Sequence, residues 1–415
     1  MEGSQLLEAG LPRGDDIAAC VLSKYDELPQ KCKPRVRGEG SREWVPLAGI
    51  VLSSNNHGRQ LECVAVGTGM KCLPASKLAD AHGTVLHDSH AEVIAVRSFN
   101  RFLLEQCLQL ANDPTSTSLY VRRRSPCDAT SGTLQPFEIR QDVSIHMYGS
   151  EAPCGDASME LIMAAQEDAT PWAIPPVSDM DGTSSDPVAL KGRGSFGELG
   201  IVRRKPSRSD APDTLSKSCT DKLTMYQYMS LLNSVTSLFV APGNAYLSSF
   251  TIPKSQFIES AFVRAFTTSG RLKDVKFTGD VPYVFKPFAV QTTDLEFQWS
   301  RRAAVADGKA IPSNVSAAYT VYSTEALIGG VLQGRKNSDP RGACAICRKS
   351  LWKIAAELAN LLDEDLLDSA LKVSSYGEIK GSELLALRRR MKNELKTQNL
   401  KGWVPNVGDE SFHLL

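Results

Sequence analysis

The chain carries no excess of charge of either sign: 47 Lys and Arg balance 47 Asp and Glu over 415 residues. Bulk electrostatics therefore cannot hold a nucleic acid, and any such contact must come from local basic patches. No apolar run approaches the ~18 residues that a membrane-spanning helix needs, so no span is expected. The ten cysteines follow no regular framework, and the N-terminal MEGSQLLEAG lacks a basic stretch leading into an apolar core. These absences weigh against a disulfide-stapled secreted protein and predict an intracellular one, nuclear or cytoplasmic, with reduced thiols. No internal repeat is discernible, so a repeat array is not expected.

What is present is a normal hydrophobic content of 42%, enough for a sizeable core. WVPLAGIVLS (44–53) and LECVAVGTG (61–69) read as a β-hairpin turning through SNNHGRQ. From Ile94 to Leu110 apolar residues recur at helical spacing, and Asn112-Asp113-Pro114 ends the run. SLYVRR (118–123) and DVSIHMYG (142–149) read as strands, the second leading through SEAPCG into a helix that Asp156 can cap. Residues 170–200, rich in Pro, Ser, Asp and Gly, form a long flexible excursion in this reading. A helical pattern resumes over 216–240. A strand at 245–252, a helix at 255–266, mixed β segments to about 330 and helices near 343–361 and 377–399 complete it.

The chemistry-bearing stretch is LHDSHAEVIAVRSF (86–99). Residues two apart on a helix point about 200° away from one another, so His90 and Glu92 converge only where the backbone is still entering its first turn. Asp88 and Ser89 place them there, since either can cap the helix. Cys154, in the tripeptide PCG, and Cys219, in KSCTDK, also stand at predicted helix starts. One histidine and two cysteines at helix N-termini suit zinc, and three protein ligands leave a fourth position for water. Glu92 is then a general base rather than a ligand. This is the pattern of hydrolytic deamination, in which zinc acidifies water and a carboxylate relays the proton to the departing amine. The usual cysteine three residues after the first is absent, because position 157 is alanine, so the third ligand must come from elsewhere, and Cys219 is the best candidate.

LHDSHAEVIAVRSF, SEAPCGDAS and KSCTDKL, in this order and some 65 residues apart, resemble the deaminase domain of adenosine deaminases acting on RNA and their tRNA-specific relatives. VGTGMKCL (66–73), GRGSFGELGIVRRKP (192–206), YGEIK (376–380) and GWV (402–404) extend the similarity from about Trp44 onward. The resemblance implies an α/β fold: a cytidine-deaminase-like mixed β-sheet with flanking helices and a C-terminal helical extension. It makes residues 1–43 an N-terminal segment and 44–415 the deaminase domain. With only about forty residues before the first strand, no duplex-RNA-binding domain is expected, which favours the tRNA-specific branch. The implied substrate is then the adenosine 3′ of the anticodon of alanine tRNA. Editing of duplex RNA, deamination of free nucleosides and a non-catalytic zinc-containing RNA-binding scaffold are the alternatives.

The resemblance also implies a buried inositol hexakisphosphate, at or near Arg97, Lys222, Tyr226, Tyr376, Lys380, Arg390, Trp403 and Asp409. Buried cations such as Arg97 and Lys222 require anionic partners in any case. Asp88 and Lys191 are expected to link that polyanion to Cys219. Val96, Met225, Ala386 and Pro405 depart from the family's pattern around the site. Lys71, Arg203, Arg204, Lys205 and Arg208 are the candidate RNA backbone contacts. CAIC (344–347) lacks a partner C-x-x-C and is read as two ordinary cysteines, and His57, His82, His87, His146 and His413 as loop, hydrogen-bonding or core residues.

Overall fold

The hairpin forms where the β-branched runs predict it: Leu47–Ser54 (β1) pairs antiparallel with Gln60–Thr68 (β2). In the computed structural model the described residues are 10–38, 40–54, 60–125, 134–165, 190–191, 198–205, 211–272 and 281–414. The hairpin's turn, with His57, and most of 170–200 therefore lie outside them. Six further strands extend the hairpin: Val143–Gly149 (β3), Leu247–Pro253 (β4), Ala289–Thr293 (β5), Val315–Thr320 (β6), Ser323–Ile328 (β7) and Val331–Leu332 (β8). The eight-stranded order is β5-β4-β3-β1-β2-β6-β7-β8. β3, β4 and β5 run parallel to one another, whereas every other neighbouring pair is antiparallel.

Every residue of β1 is buried, because both faces of the sheet are covered. Ala48, Ile50 and Leu52 pack under the helix Ala91–Asn112, together with its Ala95, Phe99, Phe102 and Leu103. Fully burying a large apolar side chain such as Phe99 or Phe102 stabilises the fold by roughly 1.5–3 kcal/mol. Val51 turns to the opposite face, where Ile17, Ala18, Val21 and Tyr25 of Gly14–Asp26 cover it. A Cβ at Gly49 would overlap the Val21 side chain, so glycine is what lets this N-terminal helix approach. These two helices are α1 (14–26) and α2 (91–112). The segment before Trp44 thus contributes a core helix as well as the lead into the first strand.

The remaining helices are Met159–Ala164 (α3), Cys219–Met229 (α4), Glu259–Phe266 (α5), Arg301–Ala306 (α6), Arg348–Leu362 (α7), Asp365–Leu371 (α8), Tyr376–Gly381 (α9) and Ala386–Gln398 (α10). α7 packs along α2, and its buried Trp352 donates its indole N–H to the Leu371 carbonyl at 3.0 Å. Met391 and Leu395 of α10 meet Met225 and Tyr228 of α4, so the C-terminal extension closes over the start of the site. Three expected elements differ. The helix expected over 216–240 stops at Met229, because Ser230 adopts φ +61°. The helix expected over 377–399 is two helices, parted by a turn that the Ser382 hydroxyl caps. SLYVRR yields only the short strand Val121–Arg123, which pairs with Phe137–Ile139 outside the main sheet.

Candidate active site

Three chain entries converge at one end of the sheet. Asp88–His90 pairs with Met70–Cys72, and His90 occupies the N-cap position of α2 with extended φ and ψ. Neither Asp88 nor Ser89 caps α2, as either was expected to; the Asp88 carboxylate instead accepts the His90 N–H at 3.0 Å. Cys154 follows β3 in a tight loop where Gly155 takes φ +107°, a conformation rare for other residues. A Cβ at Gly155 would also strike the side chain of Ser218. Cys219 opens α4, whose N-cap Ser218 accepts the Asp221 N–H at 3.1 Å. Thr220 ties the two cysteine loops together, its N–H and hydroxyl both donating to the Cys154 carbonyl at 3.0 Å.

The result is a compact donor set. His90 Nδ1 lies 3.7 Å from each of the Cys154 and Cys219 sulfurs, and the Cys219 N–H donates to Cys154 Sγ at 3.3 Å. Nitrogen and sulfur ligands sharing one tetrahedral zinc stand about 3.5 Å apart, so the spacing fits such an ion without rearrangement. Glu92, in the first turn of α2, reaches Cys219 Sγ with Oε2 at 3.1 Å. Burial pushes its carboxyl above the ordinary range, with the Cys154 charge adding to the effect. The hydrogen bond from Cys219 holds the Cys154 thiol well below its usual range, while burial raises that of Cys219.

Lys205 completes the centre. Its ammonium donates to both Asp88 oxygens, at 2.8 and 3.0 Å, and to Cys219 Sγ at 3.3 Å. Burial alone would strip it of charge, but Asp88 and Cys219 outweigh burial and keep it protonated. The expectation of Lys205 as a solvent-facing RNA contact is thereby corrected, because it is buried among these partners. Arg203 is also turned inward and fully buried, its guanidinium donating to the Glu198 carbonyl. Lys71 is exposed and Arg204 half-buried, whereas Arg208 lies outside the described residues. The backbone of Lys191 pairs beside Arg204, while the link between Asp88 and Cys219 is made by Lys205.

Behind the donor set lies a cationic recess. Lys222 also pairs with Asp88, and with Arg97 and Arg348 it lines a cavity that reaches His87 and Asn406. Arg97 donates to the Ile346 carbonyl at 2.8 Å, the Arg348 guanidinium sits 5.8 Å over the Tyr376 ring, and Lys217 lies 5.4 Å over Trp403. Burial pushes the Tyr226 hydroxyl up to about 12. Lys380 approaches Glu410 at 3.5 Å, yet burial and Arg348 still depress it. Lys392 is drawn down to about 7 by burial and by Arg388, Lys396, Lys380 and Lys217. Among the described residues no acidic group pairs with Lys392 or Lys396.

Two residues expected in this lining stand apart from it. Arg390 is 58% exposed and leans toward Glu394 at 3.8 Å, on the outer face of α10. Asp409 is buried, but its carboxylate is engaged by His87 at 2.7 Å, the Gly83 N–H at 2.8 Å and Arg348 at 3.2 Å, so it orients these groups rather than meeting an anion. The sequence reading missed Lys217, Arg348, Arg388, Lys392 and Lys396. Arg388, Lys392 and Lys396 recur every four residues, a one-face spacing that was there to be read. Val96 and Met225 fill core positions, Ala386 begins α10 and Pro405 is exposed.

Asp156 does not cap a helix as expected; it lies inside a 3-10 turn and accepts the Gly200 N–H at 2.8 Å. Cys344 and Cys347 pack in the core beside Leu86 and Ile94, as read from the sequence, with Cys347 capping α7. His146 is sealed between Ser53 and Ser249 at 3.0 and 2.8 Å. His82 and His413 are exposed.

Residues 65–407 match the adenosine-deaminase (editase) domain. The chain is 38% identical over 403 residues to tRNA-specific adenosine deaminase 1 of Schizosaccharomyces pombe, covering 96% of each chain. It is 34% identical over 246 residues to the protein of the same name from Saccharomyces cerevisiae, covering 58% of each. Double-stranded RNA-specific editase B2 of Rattus norvegicus is 27% identical over 222 residues, covering 50% of this chain and 26% of that one.

Proposed function

The chain belongs to the adenosine-deaminase (editase) domain family and is an adenosine deaminase; on that premise we propose that it converts adenosine to inosine in tRNA, at the adenosine 3′ of the anticodon of alanine tRNA. The observation that carries this reading is the convergence of His90, Cys154 and Cys219 with Glu92 beside them. Support for tRNA comes from the near full-length similarity to the fission-yeast protein of that name. An anticodon loop offers bases already splayed from the helix, which lowers the cost of presenting an adenine to a recessed centre.

His90, Cys154 and Cys219 would hold zinc. Bound there, zinc supplies the Lewis acidity that brings the pKa of a water toward neutrality. With zinc held there, Glu92 Oε2 would accept a proton from water and deliver it to the departing exocyclic nitrogen, a role its raised affinity for a proton favours. Lys205 remains charged and balances both Asp88 and the Cys219 sulfur. The cationic recess takes inositol hexakisphosphate, the polyanion that Arg97, Lys222, Arg348, Lys380, Lys392 and Lys396 call for. Backbone contacts to RNA fall to the exposed Lys71 and the half-buried Arg204. A tRNA substrate implies work in the nucleus or cytoplasm.

The test is to incubate the purified protein with alanine tRNA, other tRNAs and a long RNA duplex, then sequence for A-to-G changes, with Glu92→Ala as control. Inosine at one anticodon-loop adenosine of alanine tRNA supports the proposal. Editing of the duplex alone would reassign the substrate, and a zinc-loaded protein that edits nothing would leave a binding scaffold.

A further inference from the structure

Each zinc-liganding cysteine is followed two positions later by an aspartate, Asp156 after Cys154 and Asp221 after Cys219, and both aspartates are completely buried. A carboxylate so enclosed is tolerable only with a cation and hydrogen bonds around it. Both draw their cation from one piece of chain. Arg264, in α5, places Nε 3.2 and 3.1 Å from the two Asp156 oxygens and donates from Nη2 to the Asp156 carbonyl at 3.0 Å. Its two terminal nitrogens also grip Glu160, at 2.7 and 3.0 Å.

Arg271, just beyond the end of α5, donates to Asp221 Oδ1 at 2.6 Å and to the Thr224 hydroxyl at 2.5 Å. Its Nε returns to the Ala265 carbonyl at 3.2 Å, which folds the loop back onto α5. A Cβ at Gly270 would strike the Arg264 backbone, so glycine is what allows that reversal.

The same two carboxylates hold a third strip of chain. Asp156 Oδ1 accepts the Gly200 N–H at 2.8 Å, and Asp221 Oδ2 accepts the Arg203 N–H at 2.9 Å. That strip leads directly to Lys205, whose ammonium touches Cys219. Asp156 and Asp221 therefore stand between α5 on one side and the Gly200–Arg203 backbone on the other, each beside a cysteine that donates to the centre.

We propose that Arg264 and Arg271 are positioning residues, a pair of guanidinium clamps carried by α5 and its C-terminal loop that fix the separation of the Cys154 and Cys219 sulfurs and the presentation of Lys205. The inference rests on the reading of these cysteines as metal ligands. Neither guanidinium touches a donor atom of the centre, and both act through an aspartate. Because α5 and the loop folded back onto it carry both, the two sulfurs are held to a common reference instead of to two independent loops. A planar guanidinium satisfies two acceptors in fixed directions, which an ammonium cannot reproduce, so Arg→Lys keeps the charge and loses the geometry.

The experiment compares the full-length wild type with Arg264→Lys and Arg271→Lys. Cobalt(II) replaces zinc for absorption spectra, and zinc release to a chromophoric chelator is timed on the zinc form. Ile252→Val, an apolar change in the core strand β4, serves as the destabilised control. Residues that orient metal ligands alter affinity about 10–100-fold when changed. Each Lys variant is expected to release zinc at least ~10-fold faster and to shift the cobalt d–d bands, with kcat falling and KM for tRNA little changed. Spectra and release rates unchanged in both Lys variants, or equally changed in Ile252→Val, overturn the clamp while leaving the metal centre standing. A wild type that binds no cobalt overturns the metal centre itself, and the clamp with it.

Discussion

The ammonium of Lys205 lies 3.3 Å from the sulfur of Cys219 while donating to both oxygens of Asp88, so one buried cation serves a carboxylate and a cysteine sulfur at once. Removing one partner of a buried ion pair costs roughly 3–5 kcal/mol, because the other charge is left uncompensated. Lys205→Met is expected to lower the melting temperature and the zinc content together, with Lys191→Met retaining both. Thermal melts with metal analysis by mass spectrometry decide between them, and wild-type values for Lys205→Met would show the bridge to be dispensable.

On the proposed reading Glu92 moves a proton and does not hold the ion. Glu92→Gln should therefore lose about 10²–10⁴-fold in deamination rate with zinc retained. Cys154→Ala and Cys219→Ala should lose the metal as well. Inosine formation and zinc content, measured on the same preparations, separate the roles; full activity in Glu92→Gln would remove it from the mechanism.

The lysine recess gives a pH dependence of definite sign. Lys392 is drawn from its ordinary 10.5 down to about 7 by burial and neighbouring cations, so without an anion it is neutral above that pH. A polyanion favours the charged form, and binding above about pH 7 must therefore take up a proton. The rise in melting temperature on adding inositol hexakisphosphate should shrink between about pH 7 and 9. Lys392→Met should flatten that slope, and a wild-type increment independent of pH would exclude Lys392 from the site.

Acid should act through His146, whose imidazole burial depresses from 6.5 to about 4. The unfolded chain binds this proton below pH 6.5 and the folded chain only near 4. The stability it contributes is thus complete above 6.5 and lost as pH falls through that window. The difference amounts to about 3 kcal/mol at most. Denaturation midpoints at pH 7.5 and 4.5 should lie closer together in His146→Gln than in wild type; an equal gap would place the acid sensitivity elsewhere.

Local signals carried much of this from the sequence. His90 and Glu92 at the first turn of α2, Cys154 after a strand and Cys219 opening a helix were all legible, because each depends on residues within a few positions. So was the hairpin β1–β2. Lys205 was not, since a run of Arg203, Arg204 and Lys205 reads as a solvated face, and its inward turn is set by Asp88, 117 residues away. Arg390 was named from the resemblance, and Lys392 was not weighed. Sequence proximity cannot say which face of α10 looks inward, and only the burial of Met391 and Leu395 fixes it. α1 escaped because its Ile17, Val21 and Tyr25 mean little until the second face of the sheet needs cover. The two aspartates behind the cysteines were visible as letters, but their shared dependence on α5 was not.

The three donors are strung far apart along the chain: 64 residues separate His90 from Cys154 and 65 separate Cys154 from Cys219. An unfolded polypeptide must close two long loops before it can offer all three to one ion, and the entropy of those closures falls entirely on the disordered chain. If these residues hold zinc as proposed, a newly made molecule has no high-affinity place for it until β3 has joined β1 and α4 has docked beside it. Metal capture would then be a late checkpoint, and once made it would pull the folding equilibrium forward by mass action. In a cell short of zinc, the metal would sort finished molecules from unfinished ones.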